Sequence, residues 1–229
     1  MADGSTHIST SQAIDAAVSA RAMLSHPFYQ AWSEGRLTQD TLRAYAAQYF
    51  HHVDAFPRAV SAVHANCPDR EGRRLLAENL AEEEGRGAGK SDHATLWMDF
   101  AEGLGVGTED VVSVDLEPET QALIDTFRSL SRRSYASGLG ALYAYESQLP
   151  DVSSTKIDGL KRFYGVDDAD TVRFFSVHEA ADVEHSAVCR GLLDRLNGDD
   201  RAEAEAAGAA LAGALWNFLS GVQRRTSVH

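Results

Sequence analysis

Apolar residues recur along this chain at three- and four-residue intervals rather than in strict alternation, and only five prolines interrupt them. That period belongs to helices with one buried face. The spacing predicts helices near 10–25, 38–66, 70–86, 92–104, 119–136, 138–149, 168–196 and 200–223. Stops fall at Pro68, at the glycines of EEEGRGAGK, at GLGVG, at Pro118 and at Pro150, while Thr108 before Glu109 and Asp110 resembles a helix start. No low-complexity linker or internal repeat divides the chain, so an all-α, single-domain helical bundle over 1–229 is expected, with flexible ends at 1–9 and 224–229. The last helix, AEAEAAGAALAGALWNFLSGV, is rich in small apolar residues and either closes the core or forms a face for a second copy, as a homodimer.

One predicted helix breaks the rule that the core-facing stripe is apolar. In FFSVHEAADVEHSAV, His178, Asp182 and His185 stand at i, i+4 and i+7, within an arc of roughly 60° on a helix. The same stripe passes through Phe174, Phe175, Cys189 and Leu192, so the polar triplet points inward. A carboxylate buried between two imidazoles is costly unless a charge partner or a metal compensates it.

Other helices supply matching groups. In RRLLAENLAEEEG the acidic run could be a solvated face. Only Glu83 shares the stripe of Leu76 and Leu80, with Glu82 and Glu84 about 100° to either side. His93 shares a stripe with Leu96, Trp97 and Phe100, and Glu146 aligns with Leu139, Leu142, Tyr143 and Leu149 in a helix with no other acidic residue. Singly, each group could be a buried, hydrogen-bonded structural residue. Together they make three carboxylates and three imidazoles from four helices, an inventory that suits two divalent ions. Mixed nitrogen and oxygen donors fit iron or manganese with positions open to O2, and the lack of nearby thiolates argues against structural zinc. The ExxH pair of the usual diiron bundle is missing, so the arrangement belongs to another helical class.

Composition narrows the remaining classes. A net charge of −13, with no basic run beyond arginine pairs, disfavours nucleic acid and anionic membranes as partners. The polar opening MADGSTHISTSQ lacks the features of a secretion signal, and nothing later reaches membrane-spanning length, so a cytoplasmic location is expected. Cys67 and Cys189 form no CxxC and read as reduced core residues.

Taken in order, Glu83, His93, Glu146 and the HxxxDxxH of His178, Asp182 and His185 resemble the haem-oxygenase-like dinuclear metal oxidases, which share the TenA/PqqC-like fold. The stretches HPFYQAWSEGRL, LYAYESQLP, STKIDGLKRFYG and VHEAADVEH resemble, more narrowly, the CADD-like p-aminobenzoate synthases, over about residues 25–195. That resemblance implies an O2-dependent enzyme of folate biosynthesis that consumes itself. Tyr29 of HPFYQ would supply the aromatic ring, Lys156 of STKIDGL the nitrogen, and Tyr45 and Tyr145 an electron or radical relay. Diiron and a manganese/iron pair both fit the ligands, and an external reductant is implied. Two departures stand out: Phe174 replaces a tyrosine of that subgroup, and the loop between Glu83 and His93 is longer.

Read without the resemblance, Tyr29 is also a plausible core aromatic beside Phe28 and Trp32, and Lys156 a solvated turn lysine. Lysine is nevertheless scarce, with Lys90, Lys156 and Lys161 against eighteen arginines. Burial near cationic metals would hold Lys156 neutral and so able to donate its amine. Two alternatives keep the same residues. The metal site could oxidise a free amino acid or fatty acid, or the acidic helical surface could serve a protein partner.

Overall fold

Polar caps set where several of the helices begin. The computed structural model describes residues 8–86 and 91–226. Its helices are α1 (Thr10–Ser19), α2 (Pro27–Ser33), α3 (Gln39–Asn66), α4 (Arg70–Glu83), α5 (His93–Gly103), α6 (Thr108–Val112), α7 (Pro118–Arg133), α8 (Tyr135–Glu146), α9 (Leu149–Gly159), α10 (Arg173–Leu193) and α11 (Gly198–Thr226). A 3-10 turn covers Met23–Ser25, a π turn covers Leu160–Tyr164, and no strand occurs among the described residues. Ser9, Thr38, Asp69, Asp92 and Ser134 each accept a hydrogen bond from a backbone N–H in the first turn of the helix they precede, which satisfies a donor left over at a helix start.

The element pattern follows the sequence with three additions, α2, α6 and α9, of which the sequence signals only the start of α6 at Thr108. Pro118 and Pro150, read as interruptions, open helices instead, Pro118 beginning α7 and Pro150 lying in the first turn of α9, and Pro27 likewise begins α2. At those positions a missing N–H costs nothing and the fixed φ suits a helix. The helix expected over 10–25 ends at Ser19. The C-terminal end expected to be flexible from 224 is helical through Thr226, with Arg224 and Arg225 paired to Glu119 and Glu117; residues 227–229 lie outside the described residues. Of the expected flexible start, residues 1–7 also lie outside them, and Ser9 caps α1. Lys90 lies outside them too.

The core is built around α8, in which every residue from Ala136 to Glu146 is buried. Helices α3, α7, α10 and α11 pack around it, and α11 buries Leu211, Leu215, Phe218, Leu219 and Val222 within the chain. The small-residue helix thus closes the core of its own chain. Close approach of α8 and α11 depends on Gly140, where a Cβ would lie 2.2 Å from the carbonyl oxygen of Ala204. No helix of the described residues is long and apolar enough to cross a membrane.

Candidate metal centre

The six inward-facing groups converge as two buried triads. Glu83, His93 and His178 form one, and Glu146, Asp182 and His185 the other, with the potential ligand atoms of each triad within 4.8 Å of one another. The stripe on α10 places its three members as its period dictates, since Phe174, Phe175, His178, Asp182, His185, Cys189 and Leu192 are all buried. Glu83 is the last residue of α4 and His93 the first of α5. The chain turns between them at Gly85, whose φ of 64° falls in the left-handed region. A Cβ there would also meet the backbone N of Asp92 at 2.3 Å, so glycine is what lets the α5 cap fold back against the α4 end.

Neighbouring groups orient these side chains. His178 Nδ1 donates to the carbonyl oxygen of Phe174 at 2.7 Å, and its ring stacks on that of Phe174 with centroids 4.0 Å apart. This bond fixes the tautomer and turns the Nε2 lone pair toward the triad. Burial holds His178 well below the ordinary imidazole range, with the neighbouring His93 adding to the effect. Glu146 accepts from Asn79 Nδ2 at 2.7 Å and from Cys189 Sγ at 3.3 Å, and burial raises its carboxyl to about 7. Burial likewise raises Asp182 to about 6. For His185 burial works downward, yet Asp182, Glu146 and Glu83 outweigh it and raise the imidazole to about 9.

Whether metal ions suit this cluster is answered by its unsatisfied atoms. His93 Nδ1, Asp182 Oδ2 and His185 Nδ1 are buried without a hydrogen-bond partner. His93 Nδ1 approaches Glu83 Oε2 to 2.7 Å without the geometry of a hydrogen bond. Buried acceptors facing one another are expensive unless a cation lies between them. Three carboxylates and three imidazoles in two triads fit two divalent ions of the iron or manganese type.

Beside the centre runs a ladder of buried tyrosines. The Tyr29 and Tyr45 hydroxyls are 3.3 Å apart, the Tyr45 and Tyr49 rings stack at 5.5 Å, and the Tyr49 and Tyr145 hydroxyls are 2.8 Å apart. Burial pushes all four phenols upward. The metal-side end is Tyr145, which precedes Glu146 and feels the charges of Asp182 and Glu83. Lys156 is 3% exposed, and its Nζ donates to the Tyr45 hydroxyl at 2.7 Å. The rings of Tyr29, Tyr45, Tyr49, Trp97 and Phe175 surround that amine, with centroids 4.8 to 5.7 Å away. Ring faces favour a cation, but burial dominates and pulls the amine well below the ordinary lysine range.

Tyr29, Tyr45, Lys156 and Tyr145 therefore belong to one buried assembly adjoining the six candidate ligands. Sequence reading missed three neighbours. Tyr49, the middle rung, stands one turn after Tyr45. Asn79, one turn before Glu83, was signalled by its place beside the Leu76 stripe. Glu82 points off the stripe, yet its long side chain reaches His185 Nε2 at 3.1 Å.

Comparison with known proteins agrees with this architecture. The family described as "Iron-containing redox enzyme" matches residues 43–217. The 4-aminobenzoate synthase of Nitrosomonas europaea is 41% identical over 92% of this chain and 89% of its own length. That of Chlamydia pneumoniae is 42% identical over 90% of this chain and 92% of its own. A solved TenA homologue from Pseudomonas syringae pv. tomato superposes with a TM-score of 0.79 at 19% identity, covering 94% of this chain and 91% of the other, which speaks for the fold alone. The chain belongs to the iron-containing redox enzymes of haem-oxygenase-like fold and, within them, to the 4-aminobenzoate synthase family.

Proposed function

We propose that this chain makes 4-aminobenzoate from its own Tyr29, with Lys156 as amino donor, in a reaction that needs O2, a reductant and a diiron or manganese/iron pair. The Cα–Cβ bond of Tyr29 breaks and O2 oxidises Cβ to the carboxyl carbon of the product, while the Lys156 Nζ–Cε bond breaks as its nitrogen replaces the phenolic oxygen, which leaves as water. Each chain then turns over about once, because the substrate is part of the fold.

The observation that carries this reading is the contact chain Tyr29, Tyr45, Lys156, sealed in an aromatic cage. When bound by Glu83, His93, His178, Glu146, Asp182 and His185, the metal pair would supply the oxidising power by activating O2. The remaining work falls to the protein's own groups. Neutral Lys156 keeps a lone pair on Nζ, as a nitrogen donor requires. The Tyr45 hydroxyl lies between the Tyr29 hydroxyl and Nζ and touches both, so one phenol holds the ring and the amine in register. Trp32 Nε1 donates to the Lys156 carbonyl oxygen at 3.3 Å, which ties α2, the helix of Tyr29, to α9, the helix of Lys156. With Tyr29 at 2% and Lys156 at 3% exposure, the pair resembles an internal substrate more than the wall of an open pocket.

Peptide-resolved mass spectrometry tests this on the metal-loaded protein before and after reductant and O2, with 4-aminobenzoate assayed in the same tube. Loss of side-chain mass at Tyr29 and a changed Lys156, in step with at most about one equivalent of product, is expected. An intact chain that consumes O2 without forming 4-aminobenzoate overturns the self-consuming reaction and transfers the site to an external substrate.

A further inference from the structure

A ligand set this deeply buried needs a way in, and one cavity of the fold reaches it. Between α4 and α10 lies a cavity of about 210 Å³ lined by Leu75, Leu76, Glu78, Asn79, Glu82, Glu184, His185, Val188 and Cys189. Its inner wall is the second triad's own surroundings: His185 belongs to that triad, and Asn79 and Cys189 both hydrogen-bond to Glu146. Its outer part carries three carboxylates, with Glu78 and Glu184 exposed and Glu82 half-buried, and no lysine or arginine is among the lining.

Charge alone would make this only an acidic patch, but two buried atoms give it a direction. Asn79 Oδ1 and His185 Nδ1 have no hydrogen-bond partner, in residues only 5% and 8% exposed. Glu82 sits at the boundary, its Oε2 3.1 Å from His185 Nε2. Oxygen donors thus run from the exposed Glu78 and Glu184 through Glu82 and Asn79 to Glu146, a descending series of hard ligands for a hydrated divalent cation. The inner triad has no comparable opening onto this cavity: none of Glu83, His93 and His178 lines it, and Phe174 stacks on His178.

We propose that this acidic cavity is the loading port of the metal centre, with Glu78 and Glu184 as a transient outer metal-binding station and Glu82 as the carboxylate that hands the ion to the buried ligands. The inference rests on the metal centre and not on the reaction that follows. Its physical basis is focusing: negative charges at the mouth of a low-dielectric cleft raise the local concentration of divalent ions and therefore the entry rate. Glu78 and Glu184 act on that rate, whereas the six buried residues determine how many ions are retained.

The test is Co2+ uptake by metal-free protein, followed by stopped-flow absorbance at low and at high salt, with bound cobalt then counted after gel filtration. The Glu78→Gln/Glu184→Gln variant is expected to load roughly tenfold more slowly at low salt and with a weaker salt dependence, yet to reach the same two ions per chain. Val188→Trp, which fills the cavity without changing charge, is expected to slow loading at both salts. Circular dichroism confirms that each variant is folded. Parent-like rates and salt dependence in the double glutamine variant would overturn the port, and they remain decisive if the tryptophan variant fails to fold. A parent chain that retains fewer than two ions at saturation overturns the dinuclear centre itself, so the two failures are told apart.

Discussion

Lys156 and Tyr45 show how one side chain sets the state of another. A lysine amine enclosed by five rings would ordinarily be a liability, because among the described residues it hydrogen-bonds to a phenol and to no carboxylate. Removing the Tyr45 hydroxyl leaves both Nζ and the Tyr29 hydroxyl without that bridge. Tyr45→Phe is therefore expected to keep the metal content, lose about 1–3 kcal/mol of stability in a urea melt, and make less than about a tenth of the parent's 4-aminobenzoate. Lys156 also leaves a mark on stability. Its amine titrates well below the ordinary range when folded and normally when unfolded, so the unfolded chain binds more protons between those two values. Stability then rises with pH across that window. Lys156→Met should melt higher than the parent at pH 7, by on the order of 1 kcal/mol, with the gap closing toward pH 10. A gap that is absent at pH 7, or independent of pH, would mean that the buried amine is charged. At this scale much was legible: the six candidate ligands follow from the stripes drawn on each helix. Tyr49 and Asn79 were harder to see, because a tyrosine or asparagine near an apolar stripe is ordinarily just core.

Helices position these residues through a few close approaches. Eight of the eleven could be read from period and punctuation and α6 only as a start at Thr108, but α2 and α9 could not, because Pro150 looks like a stop and Pro27 follows directly on the helix expected to run to 25. Those two carry Tyr29 and Lys156, so the helices hardest to read locally hold the pair that the proposed reaction uses. Glu82 was missed for a related reason, since a stripe drawn on one helix does not show how far a glutamate reaches toward another. The packing of α8 on α11 provides an element-scale test. A methyl group at Gly140 would lie 2.2 Å from the Ala204 carbonyl oxygen, a backbone atom that cannot swing aside. Gly140→Ala should push the two helices apart and cost about 1–3 kcal/mol or more, read as a lower thermal midpoint. Because Glu146 ends α8, the same variant should bind metal more weakly. A parent-like midpoint would mean that α8 and α11 sit farther apart than described.

The whole molecule gathers three carboxylates into its interior, although it already carries a net charge of −13. How the six candidate ligands divide into two triads was not legible in the sequence, because Glu83 joins His178 and Glu146 joins His185 only once four helices have packed. That gathering predicts how metal removal depends on pH. In the metal-free protein Glu146 and Asp182 titrate at about 7 and about 6, above ordinary carboxylates, so between about pH 4 and those values the folded state holds more protons than the unfolded one. The contribution of these two carboxyl groups to the stability of the metal-free protein therefore falls as pH rises through that window. His185, raised to about 9, adds stability that is complete below about 6.5 and lost as pH climbs through 9, which acts in the same direction. His52 opposes them, because burial lowers it to about 3 and the folded state gains stability as pH rises toward the ordinary imidazole value. His52 is not a ligand, so its contribution is the same with and without metal and cancels from the difference between the two forms. Metal binding displaces the protons on the ligands and supplies the missing positive charge. The gap in thermal midpoint between metal-loaded and chelated protein should thus widen steadily from pH 5 to pH 8. At a thousandfold excess of free metal over its dissociation constant, each site is worth about 4 kcal/mol. A gap that stays constant over that range would show that the carboxylates are already ionised in the metal-free fold, and one that narrows would place protons on the metal-loaded ligands.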